Sequence, residues 1–163
     1  MFREMRRFKQ KMSEKDSIEV LERNTAGVLA AAGDEDYPYA VPLSYVYADG
    51  KIYFHCAKSG HKMDAIARNE KVSFCVIDED RIVPEEFTTY FRSVIVFGRA
   101  RTLEGDEKMD AILKLSMKYS PDETEESRKK EISGSFDNMA MVEISIEHMT
   151  GKEAIEFVKM KKK

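Results

Sequence analysis

The stretch that decides the fold is residues 37–62, which read YPYAVPLSYVYADGKIYFHCAKSGHK. Residues 37–47 have the composition of a strand but contain Pro42, which cannot donate a hydrogen bond to a sheet. Pro42 therefore marks an edge, a bulge or a place where something other than a strand lies alongside. Asp49-Gly50 favours the positive φ angles of a tight hairpin turn, so residues 51–57 are predicted to be the next strand. That strand runs directly into a predicted helix that opens at Ser59.

The flanking sequence extends this hairpin into a small β protein. A helix is predicted at 13–24, with an acidic first turn. Further strands are predicted at 25–32, 72–77, 92–103 (bent at Gly98) and 139–146, and further helices from Gly105 to Ser120 and at 151–159. Residues 78–90 are predicted to be a polar loop. The charged segment 122–132 is either a solvated helix or a loose connection. Helices separate the five or six strands only twice, which favours a small antiparallel barrel with flanking helices over a doubly wound sheet.

Composition bounds the domain count and the class of protein. At 163 residues, the chain suits a single domain over 1–163, with its core at 13–120 and a helical connection, last strand and terminal helix at 121–163. The net charge of −3 excludes a role that consists mainly of coating nucleic acid. Basic residues cluster only at the ends, at Arg3, Arg6, Arg7, Lys9 and Lys11 and at Lys159, Lys161, Lys162 and Lys163. Solvated termini explain these clusters most simply, and an RNA- or membrane-binding tail is the alternative.

Cysteine usage and hydropathy indicate the compartment. Cys56 and Cys75 each lie in an apolar, strand-like run, where a free cysteine behaves as a small hydrophobic residue. No apolar run approaches the ~20 residues of a membrane-spanning helix, and no signal-peptide core follows the N-terminus. We therefore expect a cytoplasmic protein with no membrane attachment.

The segment His55–Lys62 is the strongest candidate for a binding site in the sequence. A helix start leaves backbone N–H groups unpaired and attracts anions, and here Gly60 permits close approach while Lys58, His61 and Lys62 add cationic donors. These groups suit a phosphate, although an ordinary helix start with solvated lysines has the same composition. The Walker spacing is absent.

Other candidate groups are weaker. The aromatic stretch around Pro42 suits a planar heterocycle, which would take hydrogen bonds from backbone groups without a ladder partner, or else it is simply a half-buried strand. His55, Cys56, His61 and Cys75 match no metal-binding spacing, and adjacent strand residues point to opposite faces. The acidic residues Glu79, Asp80, Glu85 and Glu86 are typical of a surface loop, and His148 stands alone.

Five segments, taken in order along the chain, are more specific together than any single motif. They are Pro38–Tyr47, Gly50–Ala57, Gly60–Lys62, Asn69 with Val72–Val76, and Phe87–Ala100. Together they resemble the pyridoxamine 5′-phosphate oxidase-like split-barrel family, and most closely its 5-nitroimidazole-resistance branch. The similarity covers about residues 15–120. It implies an antiparallel six-stranded split β-barrel, a homodimer, and FMN bound at the interface between the two subunits.

The resemblance also implies roles for individual residues. His61 and Lys62, helped by Ser59 and Gly60, correspond to ligands of the flavin phosphate. The strand Pro42-Leu43-Ser44-Tyr45 corresponds to the one beside the isoalloxazine ring, and His55, Cys56 and Ala57 to the ribityl and phosphate side. Thr88, Arg92 and Ser93 correspond to further cavity residues, contributed by the second subunit in one interpretation.

Departures from the family pattern narrow the function. His61 stands where pyridoxamine phosphate oxidases use an arginine, and the substrate-phosphate residues of those enzymes are missing, so vitamin B6 oxidation is not expected. We expect an FMN-dependent oxidoreductase that passes electrons from a reduced nicotinamide to a small acceptor such as a nitroaromatic compound, with no metal and no nucleic-acid partner. The alternatives are a non-catalytic flavin- or haem-binding sensor or carrier, a deazaflavin in place of FMN, and a structural dimer whose basic tail binds RNA.

Overall fold

The structure is a computed structural model that describes residues 1–161. Its strands are β1 (Ala26–Ala32), β2 (Pro38–Ser44), β3 (Val46–Ala48), β4 (Lys51–Ala57), β5 (Lys71–Val83), β6 (Thr88–Leu103) and β7 (Met139–Glu153). Its α-helices are α1 (Glu14–Arg23), α2 (His61–Arg68), α3 (Gly105–Tyr119), α4 (Glu125–Ser135) and α5 (Ile155–Met160). Within the described chain, no helix combines the length and apolar character that crossing a membrane requires.

The strands form one antiparallel sheet in the order β2-β1-β5-β6-β7-β4-β3. The predicted class, mainly β with flanking helices, is confirmed, but the sheet has seven strands rather than six. The predicted strand 37–47 is two strands, because the chain changes pairing partner at Tyr45. The side chain of Tyr45 is fully buried, and its hydroxyl donates to the carbonyl oxygen of Leu21 at 2.7 Å.

The two edge strands are consecutive in the chain, which makes the sheet a split barrel. Only Tyr45 separates β2, which pairs with β1, from β3, which pairs with β4. The sheet curls until its edges are neighbours, but no ladder joins them, so the barrel is not closed. Its interior is filled by buried apolar side chains, the largest being Phe54, Phe74, Leu21, Leu29 and Ile52.

The polar segment 78–90 is a β-hairpin arm, so the prediction of a loop there is wrong. β5 continues to Val83, a short 3-10 turn spans Pro84–Glu86, and β6 begins at Thr88. The polarity of the segment misled the prediction. In a two-stranded arm the backbone groups pair across the hairpin, as in Ile82↔Thr89, so most of its side chains can remain polar and exposed, although Tyr90 is buried.

The C-terminal part of the chain lies at the centre of the sheet. β7 pairs with β6 on one side and β4 on the other, and it extends to Glu153 rather than ending at 146. The predicted helix 151–159 is correspondingly shorter. Lys161 is not a solvated tail residue, because its Nζ lies 3.0 Å from carboxylate oxygens of both Asp16 and Glu153. Lys162 and Lys163 lie outside the described residues.

The outer face of β2, β1, β5 and β6 is apolar. In-register rows cross it, one being Pro42, Val28, Cys75, Ile95 and Thr150, and the other Ala40, Ala30, Ser73, Phe97 and His148. Ile95 and Phe97 are each 40% exposed. Of the N-terminal segment, Phe2 stacks on Phe97 and His148, and Met1 lies beside the same surface. We call this surface the outer face.

Candidate functional site

A gap opens in the sheet where β2 leaves β3. The β3–β4 ladder pairs Val46 with Tyr53, and the same register continued backwards would place Pro42–Ser44 opposite His55–Ala57. That pairing does not form, because β2 has turned away to pair with β1. We call the space between Pro42–Ser44 and His55–Ala57 the slit. The residues that the resemblance assigned to the cofactor ring and ribityl chain are therefore its two lips.

The lips carry backbone groups without a ladder partner. β2 pairs only with β1, and residues 55–57 of β4 pair only with β7, so within the described chain the facing edges of both strands are unpaired. Of the three alternatives that Pro42 left open, the fold shows an edge strand. Unpaired backbone donors and acceptors need partners, and a heterocycle with ring nitrogens and carbonyl groups can supply them.

Side chains alternate across the lips. Leu43 and Cys56 pack against the core, and Tyr45 lies within it, so these residues offer the slit backbone atoms rather than side-chain polar groups. Pro42, Ser44, His55 and Ala57 point outward and are exposed. Cys56 Sγ lies 3.5 Å from Met63 Sδ. Burial raises the pKa of the Cys56 thiol, against the opposing charge of Lys62, so the thiol stays protonated at neutral pH.

The closed end of the slit is held by the end of α3. The Tyr45 N–H donates to the Tyr119 hydroxyl oxygen at 3.0 Å, and that hydroxyl lies 2.8 Å from the Tyr45 carbonyl oxygen and 2.5 Å from that of Thr25. Lys118 donates to the Asn24 carbonyl and lies 4.5 Å from the centre of the Tyr45 ring. Sequence reasoning missed both residues. Their only signal was their position just before the helix-ending Ser120-Pro121.

The open end of the slit leads to the start of α2. Gly60 has φ 120°, a conformation that favours glycine, and no side chain caps the helix. α1 and α4, by contrast, are capped by Ser13 and Thr124. Lys62 Nζ lies 5.7 Å from the Phe54 ring centre. Among residues 1–161, neither Lys58 nor Lys62 has a carboxylate within ion-pair distance.

His61 is held more tightly than its neighbours. Its ring lies 4.0 Å from that of Tyr39 on β2, and its Nε2 lies 3.7 Å from a carboxylate oxygen of Asp34. Asp34 also accepts a hydrogen bond from Arg68 at 2.7 Å, which lowers the pKa of this carboxyl group. An anion at the start of α2 would therefore share His61 with Asp34, whereas Lys62 has no such competitor.

Thr88, Arg92 and Ser93 do not lie at the slit of the same chain. Arg92 pairs with Glu153 at the far end of β7, whereas β4 pairs with β7 only up to Ser145. Its guanidinium lies 3.0 Å from Asp78, 3.7 Å from Glu79 and 3.5 Å from Glu153. Arg92 thus belongs to a shared ion-pair cluster, in which Asp78 also pairs with Arg23 and Glu153 with Lys161. Thr88 opens β6 at the base of the turn, and Ser93 faces outward opposite Ile77.

No metal-binding cluster of three or more His, Cys, Asp or Glu side chains is found in residues 1–161. The candidate ligands considered from the sequence are separated in the fold. Cys75 belongs to the outer face, where burial raises the pKa of its thiol, and His148 is stacked against Phe2. His55 faces outward from the slit.

Comparison with known proteins identifies the family and supports the fold. The family model for pyridoxamine 5′-phosphate oxidase matches residues 13–153, most of the chain. A protein from Bacteroides thetaiotaomicron, assigned provisionally to 5-nitroimidazole antibiotic resistance, has a similar structure, with a TM-score of 0.74 at 20% identity over 88% of this chain and 86% of that one. Comparison with curated proteins finds no match.

Two further solved structures share the fold. An FAD-binding protein from Mesorhizobium loti has a TM-score of 0.61 at 26% identity, over 88% of this chain and 96% of that one. A conserved hypothetical protein from Mycobacterium tuberculosis has a TM-score of 0.79 at 20% identity, over 92% of this chain and 90% of that one. The fold is thus shared at low sequence identity along nearly the whole chain.

Proposed function

The chain belongs to the pyridoxamine 5′-phosphate oxidase family, and on that premise we propose that it binds FMN in the slit and acts as a flavin-dependent oxidoreductase. The observation that carries this proposal is the combination at the slit. Two strand edges without ladder partners lead to an uncapped helix start beside a lysine that has no carboxylate partner in the described chain. A planar heterocycle joined to a phosphate would satisfy both features.

The residues present fit such a group. Lys62, the hydroxyl of Ser59 and the N–H groups that follow Gly60 would hold the phosphate, with His61 shared between it and Asp34. The backbone of Pro42–Tyr45 would lie beside the ring system, and His55, Cys56 and Ala57 would line its ribityl side. The similarity to an FAD-binding protein supports a flavin, and FMN is the flavin that ends at a single phosphate.

We propose further that the protein is a homodimer joined through the outer face. This face is apolar, no helix of the described chain covers it, and it runs up to Pro42 on the lip of the slit. A copy docked there would border the cofactor. Thr88, Arg92 and Ser93, which lie away from the slit of their own chain, would reach it only from the second copy.

The bound flavin would supply the electron transfer, from a reduced nicotinamide to a small acceptor such as a nitroaromatic compound. The protein would bind and orient the cofactor, and the second copy would exclude water from the ring. The similarity to the Bacteroides thetaiotaomicron protein supports a nitroaromatic acceptor. No protein group is needed as the redox centre, and the protonated Cys56 thiol is poorly suited to be one.

The proposal is tested by the spectrum of the purified protein. We expect flavin absorption bands, or their appearance with saturable quenching of flavin fluorescence when FMN is added, followed by bleaching with NADH or NADPH and recovery with a nitroaromatic acceptor. A Soret band in place of flavin bands would establish a haem-binding module. Binding of FMN with no reduction by any donor would establish a carrier or sensor.

A further inference from the structure

A cavity of about 440 Å³ lies between the outward side of the slit and the helices α3 and α4. It is continuous with the slit, since Ser44 from one lip and His55 from the other both line it. The remaining lining residues are Ile112, Leu115, Ser116 and Tyr119 of α3, Glu131, Ile132 and Ser135 of α4, and Met139 and Met141 of β7. A cofactor lying along the lips would therefore face this space.

The residues that line the cavity indicate which class of ligand it would bind. Five of its eleven lining side chains are aliphatic or thioether groups, and six carry a polar group, but the surface that they present to the cavity is mostly apolar, which is typical of a small-molecule site. Its volume is near the low end of the ~300–1,000 Å³ usual for such sites. No lysine or arginine is among the described lining residues, and Glu131 carries the only carboxylate. A small, uncharged, mostly apolar ring compound fits, and an anion does not.

Helix α4 covers the cavity and is attached at few points. Ile132 is its one buried residue, at 5% exposed. The other attachments are at its ends, where Arg128 donates to the carbonyl oxygens of Ser120 and Pro121 at 2.8 and 2.9 Å, and Lys108 donates to that of Phe136 at 2.6 Å. An element with so little apolar burial opens at low free-energy cost, so a ligand can enter by displacing it.

We propose that this cavity binds a small, uncharged ring compound as the electron acceptor, and that Ile132 limits the size of the compound that fits. The acceptor role rests on the function proposed above, because only a bound flavin makes the compound an acceptor. The binding site itself rests on the lining and on α4.

Indole serves as the probe, because it is planar, uncharged and unreactive. In the full chain labelled with methyl-13C methionine, indole should shift the methyl resonances of Met139 and Met141 with one saturable dissociation constant, and the two resonances are assigned with the Met139→Leu and Met141→Leu variants. Indole-3-acetate has the same ring with a carboxylate and should bind at least about tenfold more weakly, because Glu131 repels it. Equal affinity for the two compounds, or shifts confined to other methionines, overturns the assignment.

Ile132→Trp fills the cavity and should abolish both methyl shifts. Ser133→Trp adds the same ring to the exposed side of the same helix and should leave the dissociation constant for indole unchanged. Ile132→Ala, which guards against misfolding of the tryptophan variant, should tighten binding of the larger 2-naphthol relative to indole. Retained indole binding in a folded Ile132→Trp, or no change in that preference in Ile132→Ala, contradicts the role of Ile132.

These outcomes are separable from those of the flavin test. The methyl shifts need no flavin, so their presence in a chain that fails to bind FMN would leave the cavity as a ligand site and remove its role as an acceptor site. In the FMN-loaded chain, saturating indole should perturb the flavin absorption bands. If the flavin bands do not change while the methyl resonances shift, the cavity is not beside the flavin. That result would refute the acceptor role and leave the ligand site and the FMN site in place.

Discussion

Replacing Lys62 with methionine tests the phosphate end of the slit most sharply. Lys62→Met keeps an unbranched stem to pack against Phe54, whose ring centre lies 5.7 Å from the lysine Nζ, and removes the charge together with its N–H donors. A hydrogen bond to a charged group is worth about 1.5–3 kcal/mol, which corresponds to a roughly 10- to 150-fold rise in the dissociation constant for FMN. The upper part of this range applies because no carboxylate of the described chain shares Lys62.

The assay is titration of flavin fluorescence with FMN and, in parallel, with riboflavin, which has the same ring but no phosphate. Lys62→Met should weaken FMN and leave riboflavin unchanged. Lys58→Met is the matched control, since Lys58 also lacks a carboxylate partner in the described chain but lies on the exposed turn before the helix, and it should cost less than about fivefold. The reasoning is refuted if Lys62→Met weakens both flavins equally, or if the Lys58 variant has the larger effect on FMN.

Three further predictions concern the slit, the charge cluster and the outer face. Tyr119→Phe should lower the free energy of unfolding by about 1–3 kcal/mol in urea denaturation, because it removes the hydroxyl next to the Tyr45 carbonyl oxygen and leaves the Tyr45 N–H only its 3.3 Å bond to the Thr25 carbonyl oxygen, whereas Tyr37→Phe, at a ring 73% exposed, should be neutral. Burial would raise the pKa of Asp78, but hydrogen bonds from Arg23, Asn24 and Arg92 outweigh it and lower that pKa to about 2. The stabilisation by Asp78 is therefore complete above its unfolded pKa near 4 and is lost as the pH falls through about 2, so the cost of Asp78→Asn, about 2 kcal/mol at pH 7, should vanish over that window. Ile95→Lys should convert the proposed dimer to a monomer in light scattering, while Met117→Lys on α3 should not. A dimer that persists in the Ile95→Lys variant would place the interface elsewhere.

Local sequence signals predicted the elements whose structure is set by local interactions. The helix start near residue 13, the Asp49-Gly50 turn and the bend at Gly98 are all present, because each depends on the conformational preference of residues at that point in the chain. The arm at 78–90 was predicted wrongly because its structure depends on the pairing of the end of β5 with the start of β6. The polarity of the segment does not reveal that pairing. The same holds for β7, whose extension to Glu153 follows the length of β6.

The split of strand 37–47 could not be predicted, because it depends on contacts from two distant parts of the chain. Pro42 indicated an edge, but only the burial of Tyr45 against Leu21 and the hydroxyl of Tyr119 show where the edge strand leaves its neighbour. The slit thus exists because a residue near position 120 completes the hydrogen bonding of a residue at 45. The spacing of residues along the sequence does not indicate that contact.

Whether the charge of a candidate ligand is already paired likewise depends on the tertiary structure. In the sequence, Lys62 and Arg92 are both cations near apolar strands, and both are candidates for an anionic cofactor. In the fold, β5, β7 and the bulge next to Asp78 bring three carboxylates to Arg92 and none to Lys62 within the described chain. The guanidinium of Arg92 is held by these carboxylates and lies 4.6 Å from the centre of the Phe157 ring, so it is less available to a phosphate. Lys62, which has no carboxylate partner within the described chain, is therefore the better anchor, and any role of Arg92 at a second copy's slit would require these contacts to rearrange.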